Sequence, residues 1–156
     1  MSHPYEEIVL GESILRFPPA PRHEAVCQRL HEKVSASLAA VTTSRLLAAR
    51  SVVQLAPGTL LRPDIVLVTR ATGKPWLIAE VVDSEDHHPD TVTKKTSYED
   101  ARVPRLWMVD ARFNNVEVYH ATPYGLSLKG ILSSREVLEE KLLPGLHLDI
   151  SDLFGP

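Results

Sequence analysis

The run Trp76–Val82 limits what this chain can fold into more than any other stretch. Successive side chains of a strand point to opposite faces. Read that way, Trp76, Ile78, Glu80 and Val82 share one face, and Leu77, Ala79 and Val81 share the other. Both faces are apolar, which is the pattern of a central strand covered on both sides. Glu80 is the exception, placed where a charge would be cut off from water. A carboxylate buried alone costs several kcal/mol or more, so Glu80 must be protonated, paired with a cation or bound to a metal ion. The apolar run Asp64–Thr69 precedes it across Thr72-Gly73-Lys74-Pro75, a strand–turn–strand signal. Asp64, at the start of that run, brings a second carboxylate close.

The remaining segments supply the covering layers. Ile8–Leu10 and Ile14–Phe17 flank Gly11-Glu12-Ser13 and read as a β-hairpin, after which Pro18-Pro19-Ala20-Pro21 forces an extended break. Val26, Leu30, Val34 and Leu38 then recur every four residues, predicting an amphipathic helix from about Arg22 to Ala40, ended by Thr42-Thr43-Ser44. Val52–Leu55 reads as a strand. Pro89–Arg102 reads as a helix with Asp90, Lys94, Ser97, Tyr98 and Ala101 on one face and Lys95, Glu99 and Arg102 on the solvent side. Strands follow at Arg105–Val109, at Val116–Tyr119 after the Asn114-Asn115 turn, and at Tyr124–Leu132. The tail, Leu142-Leu143-Pro144-Gly145 and then Leu146–Phe154, is expected to cover the sheet edge and end in a helical turn. This order predicts an α/β fold, a mixed sheet flanked by helices. The chain, residues 1–156, reads as a single domain.

Composition narrows the class. With 44% hydrophobic and 24% charged residues the chain reads as a globular protein. No apolar run approaches the ~20 residues that cross a bilayer, so no membrane partner is expected. The acidic start MSHPYEEIVLGE lacks the basic character of a secretory signal. Cys27 stands alone, which fits a reducing, cytoplasmic setting. A formal charge of −3 lacks the basic balance usual in nucleic-acid binders.

Two carboxylates on adjacent strands suit a hard divalent ion. Mg²⁺, with Mn²⁺ as substitute, prefers oxygen ligands and takes one or two carboxylates. Such an ion polarises a phosphoryl oxygen and acidifies a bound water. A nearby cation favours the charge that develops during phosphodiester hydrolysis, and Lys94 on the following helix can supply it.

The order Pro63-Asp64, Glu80-Val81-Val82, then Asp90, Lys94, Tyr98, Val103-Pro104, Trp107 and Val109-Asp110 resembles the Uma-type restriction endonuclease family of the PD-(D/E)XK nuclease superfamily. Tyr5, Gly11-Glu12, Pro18–Pro21 with Arg22-His23, Ala56-Pro57-Gly58-Thr59 and Leu143-Pro144-Gly145-Leu146 agree with it. The resemblance implies a restriction-endonuclease-like core and an Mg²⁺-dependent endonuclease acting on nucleic acid, DNA in particular, with a homodimer by analogy. It implies Asp64, Glu80 and the Val82 backbone carbonyl as metal ligands and Lys94 as the residue that positions or activates the water. His23, Tyr98, Asp90 and Lys95 are accessory candidates. Val82 stands where the usual lysine would be, Asp83-Ser84-Glu85 replaces a Ser-Pro-Ser-like turn, and Arg102 and Arg105 replace a glycine and an acid. From Asp83 to Arg105 the acids Asp83, Glu85, Asp86, Asp90, Glu99 and Asp100 outnumber the bases Lys94, Lys95, Arg102 and Arg105. A polyanion meets net repulsion there unless metal is bound.

Blander roles stand beside these. Asp64 alone reads as a strand-start cap, Glu80 as half of a structural ion pair, Tyr98 as packing, His23 as a surface histidine, and His87-His88 as loop. Two further functions fit the same residues: a degenerate nuclease fold serving as a binding or assembly module, and a small-molecule phosphohydrolase.

Overall fold

A computed structural model describes residues 4–83 and 88–155, with the side chains of residues 88–90 outside that description. The Ser84–Glu85 part of the expected turn and His87 fall outside it as well. The elements run β1 (Tyr5–Val9), β2 (Glu12–Arg16), α1 (Pro21–Ser37), β3 (Ser44–Leu46), β4 (Val53–Ala56), β5 (Thr59–Leu61), β6 (Ile65–Thr69) and β7 (Pro75–Val82). They continue with α2 (His88–Asp100), β8 (Arg105–Asp110), β9 (Asn115–Thr122), β10 (Gly125–Ser133), β11 (Val137–Glu140), β12 (Leu143–Asp149) and α3 (Ile150–Phe154).

A mixed sheet in the order β10-β9-β8-β7-β6-β3 carries the fold. β6 and β7 pair antiparallel, with Ile65 opposite Ala79. β7 and β8 pair parallel, with Glu80 opposite Met108. A parallel pair needs a crossover, and α2 is that crossover. This places β7 between two strands, and its residues from Trp76 to Val82 are all buried.

Each face of the sheet has its own core. Leu67, Leu77, Ala79, Val81, Trp107 and Val109 pack against Val26, Leu30 and Val34 of α1 and against β12 and α3. Val66, Val68, Ile78, Val82, Leu106 and Met108 pack against Tyr98 of α2, Val103, and Val9, Val53 and Leu61 of a smaller sheet ordered β2-β1-β5-β4. The β1–β2 hairpin closes at Leu10 and Gly11, both at positive φ (51° and 83°), the backbone that a tight primed turn demands.

The structure revises several expectations. Trp76 packs with the α1-side core rather than beside Ile78. The β6–β7 register slips between Leu67 and Val68, and such a bulge re-aims a side chain. The Trp76 indole N–H donates to Ser44 Oγ at 2.9 Å. Ser44, expected to end the first helix, instead opens β3, and α1 passes through a short 3-10 turn at Leu38–Ala40. β5 was not anticipated either. The tail forms a two-stranded sheet of β11 and β12 packed beside α1, and α3 at its end lies against β10, an edge strand of the large sheet. Glu99, expected to face solvent, is half-buried and accepts from the Leu126 backbone N–H at 2.7 Å.

Leu77 is fully buried, whereas Leu15 is 71% exposed on the hairpin. Leu77→Ala is expected to lower unfolding free energy by about 2–5 kcal/mol, and Leu15→Ala by under about 0.5 kcal/mol, in urea denaturation followed by circular dichroism.

Candidate active site

The C-terminal end of β7 opens into a cavity of about 540 Å³ lined by Asp64, Glu80, Val81, Asp83, Thr91, Lys94, His23, Tyr5 and the segment from Ile14 to Ala20. Asp64 sits one residue before β6, and its Oδ2 accepts the Val81 backbone N–H at 2.8 Å. That bond continues the β6–β7 ladder through a side chain, so Asp64 is fixed beside the end of β7. His23, near the start of α1, brings Nε2 to 3.3 Å from Asp64 Oδ2, and Arg50 lies 3.6 Å from Oδ1. Arg50 is itself held by Glu24 through contacts of 2.8 and 3.0 Å.

Glu80 projects, like Ile78 and Val82, onto the α2-facing side of the sheet. Lys94 Nζ lies 3.3 and 3.5 Å from its two oxygens, and the Tyr98 hydroxyl donates to Oε1. Thr91, Lys94 and Tyr98 follow at i, i+3 and i+7 on α2, which puts all three on its buried face. Lys94 also reaches Glu7 Oε1 at 2.9 Å. Glu7 is 1% exposed and accepts from Arg16 Nε at 2.8 Å and from the Arg62 backbone N–H at 2.7 Å. Glu7, Lys94 and Glu80 thus form a buried chain of alternating charge, extended at one end by Arg16 and at the other by Tyr98.

Burial sets the electrostatics. It pushes the Glu80 carboxyl up, against the pull of Lys94, and Asp64 and Glu7 push it further; the group ends above the ordinary carboxylate range. Burial also works against a charged Asp64, but His23, the Val81 N–H and Lys94 outweigh it and hold that carboxyl low. Burial disfavours charge on Lys94, yet Glu80 and Glu7 more than offset this and keep it an ammonium. His23 behaves likewise: burial opposes its charge, and hydrogen bonding to Asp64 with the nearby acids raises it to about 9. At neutral pH the site therefore holds an ionised Asp64 against an imidazolium, and Glu80 against an ammonium.

The sequence candidates are placed as follows. Asp64, Glu80, Lys94 and His23 line one cavity, and Tyr98 supports Glu80 from behind it. Lys95 turns away, its Nζ 4.5 Å from the centre of the Tyr119 ring. The Asp90 side chain lies outside the described residues. The Val82 carbonyl accepts from Ala111 N at 2.7 Å, so it points to β8, away from Asp64. N–H and C=O of one strand residue point to the same side, and Val81 N–H points at Asp64; the carbonyl on the Asp64 side is that of Val81. Sequence reasoning missed Glu7, although alternation of Tyr5, Glu7 and Val9 on one strand face was a signal for it. It also missed that Cys27, one turn below His23, has Sγ 3.6 Å from His23 Nδ1.

Two donor sets for a metal follow. Asp64 and Glu80 offer hard oxygens toward one cavity and suit a divalent ion that keeps waters and substrate oxygens as further ligands. A cation there would also relieve the burial that raises Glu80. His23, Cys27 and Asp64 offer ligand atoms all within 4.8 Å of one another, a softer, fully buried set. Cys27 does not line the cavity, and burial holds its thiol protonated.

Comparison with known proteins bears on the family and the fold. A family model, Uma2, described as "Putative restriction endonuclease", matches residues 3–151. Among solved structures, a "putative nuclease belonging to DUF820 from Anabaena variabilis ATCC 29413" matches with a TM-score of 0.79 at 18% identity, covering 97% of this chain and 90% of that one. That likeness shows the fold, a restriction-endonuclease-like core. The type IIG restriction endonuclease BpuSI matches with a TM-score of 0.44 at 11% identity, over 65% of this chain and 12% of that one. No curated protein matches the chain.

Removing the carboxylate that joins Arg16 to Lys94 should be costly, because Lys94 would stay buried with one anion fewer beside it. Glu7→Gln is expected to destabilise the fold by about 3–5 kcal/mol, read as a lowered urea midpoint. The exposed neighbour Glu6→Gln should shift it by less than about 0.5 kcal/mol.

Proposed function

Because the chain belongs to the Uma2 restriction endonuclease family, we propose that it is a metal-dependent endonuclease, hydrolysing phosphodiester bonds in DNA at the cavity that Asp64, Glu80 and Lys94 share. The observation that carries this reading is the placement of two buried carboxylates and a buried ammonium around one opening at the end of β7. A purely structural ion pair has no need of a second carboxylate, held low and aimed at the same space.

Asp64 and Glu80 would hold Mg²⁺ or Mn²⁺, with the Val81 carbonyl on the side where a further oxygen ligand would be useful. Bound there, the ion supplies Lewis-acid polarisation of a phosphoryl oxygen and lowers the pKa of a coordinated water. The chain's own groups do the rest. Lys94, kept charged between Glu80 and Glu7, acts as a fixed cation that attracts the phosphoryl group and steadies negative charge in the transition state. A protonated ammonium cannot take a proton from water, so Lys94 positions rather than deprotonates the nucleophile. His23, an imidazolium lining the cavity, would serve as the acid that protonates the departing oxygen when the P–O bond breaks, and would regain its proton from solvent. Water then ends as the new P–O bond and a proton left to solvent, and the leaving oxygen ends as a hydroxyl.

Glu80→Gln should abolish Mg²⁺-dependent cleavage of DNA, offered as single strand and as duplex, while leaving the circular dichroism spectrum and melting cooperativity intact. Cleavage unchanged in that variant would sink the assignment. The role of Lys94 separates by charge: Lys94→Arg should retain measurable cleavage, and Lys94→Gln should lose about 10²-fold or more. Equal loss in both folded variants would argue for a proton-transferring lysine instead.

A further inference from the structure

The cavity has two unlike walls. Its floor carries Asp64, Glu80 and Lys94, and its outer wall is the apolar segment of Leu15, Phe17, Pro18 and Pro19. Phe17 is 84% exposed and Leu15 71% exposed, and among the exposed large apolar side chains of the described residues these two border the cavity. Leu15 and Phe17 stand two residues apart, on one side of the end of β2, an edge strand. Scattered exposed apolar residues mean little, but a contiguous group bordering a candidate active site marks a surface that a ligand covers.

The charges at this opening point to the kind of ligand. Its cations are already engaged: Arg16 with Glu7, His23 with Asp64, and Lys94 with Glu7 and Glu80. Binding to a duplex relies on Lys and Arg tracking many phosphates in succession. This opening offers no such basic track among its lining residues, and the chain's net charge is −3. It offers an exposed aromatic ring and two proline rings beside a phosphodiester-sized polar floor. Stacking of a base on an aromatic ring requires that the base be free of its own helix stack, the condition met by a single strand.

We infer that the Leu15–Pro19 wall seats an unstacked nucleobase, and that the substrate is a single strand, held by stacking on Phe17 with its adjoining phosphodiester over Asp64 and Glu80. The inference rests on the reading of Asp64, Glu80 and Lys94 as a nuclease centre, and it adds to that reading which form of nucleic acid the site accepts. Because few phosphates are neutralised by side chains, single-strand affinity should fall only shallowly with salt.

Fluorescence anisotropy tests it with a labelled single-stranded oligodeoxynucleotide and the same strand annealed into a duplex, each in Ca²⁺ buffer, for wild type, Phe17→Ala and Tyr124→Ala. Wild type should bind the single strand about tenfold or more tighter than the duplex. Phe17→Ala should weaken single-strand binding about fivefold or more, in line with the loss of one stacked base. Tyr124, 98% exposed and outside this cavity, controls for the loss of any surface aromatic and should bind as wild type. Tighter or equal binding of the duplex, no binding of either, or Phe17→Ala indistinguishable from wild type overturns the inference. Cleavage of the same two substrates in Mg²⁺ reads the underlying centre separately. Cutting without strand preference removes only the base-seat inference, and selective single-strand binding without cutting removes only the catalytic assignment.

Discussion

A carboxylate in the middle of the most buried strand is the constraint on which the rest of the structure depends. Glu80 can stay there only if charge and hydrogen bonds come to it, because an isolated ion in that position would cost more than a protein of this size can spare. The fold answers with Lys94 at 3.3 Å and the Tyr98 hydroxyl, both delivered by α2. Lys94 in turn needs a second anion, and the hairpin brings Glu7 to 2.9 Å. Three elements far apart in sequence are tied together by one buried charge.

The same demand explains where the site opens. β6 ends short of β7, so the last residues of β7 lack a strand partner on that side. Asp64 takes over the ladder by accepting the Val81 N–H. The carboxylate recruited for this backbone duty also lines the cavity, its two oxygens paired with His23 and Arg50. Structural and chemical roles are therefore not alternatives here. The pairing that lets acids survive burial also fixes them in one orientation, and rigid placement is what electrostatic catalysis requires.

How much of this could be read in the sequence depended on the range of the signal. β6 and β7 are continuous apolar runs and α1 has a four-residue apolar repeat, so the covered strands, the helix face and the odd position of Glu80 were legible. β3 and β5 span only Ser44–Leu46 and Thr59–Leu61, too short for any period to register, and they exist because neighbours offer them pairing. Trp76 sits on the face opposite to simple alternation because a bulge interrupts the register, and a bulge is set by the partner strand. Glu7 looked like one more acid in an acidic beginning; its burial follows from the hairpin folding over the sheet. The carbonyl direction at Val81 and Val82 was undetermined by sequence, since it depends on β8 and β6 flanking β7 on particular sides.

The account stands on Asp64 and Glu80 forming one divalent-cation site, and calorimetric titration of Mn²⁺ into wild type and Glu80→Gln measures that directly without any guess about substrate. Saturable binding by wild type that disappears in the folded variant is the result the account predicts. A well-folded wild type that takes up no Mn²⁺, or a variant that binds it as wild type does, would contradict it and favour a nuclease fold kept for its surface.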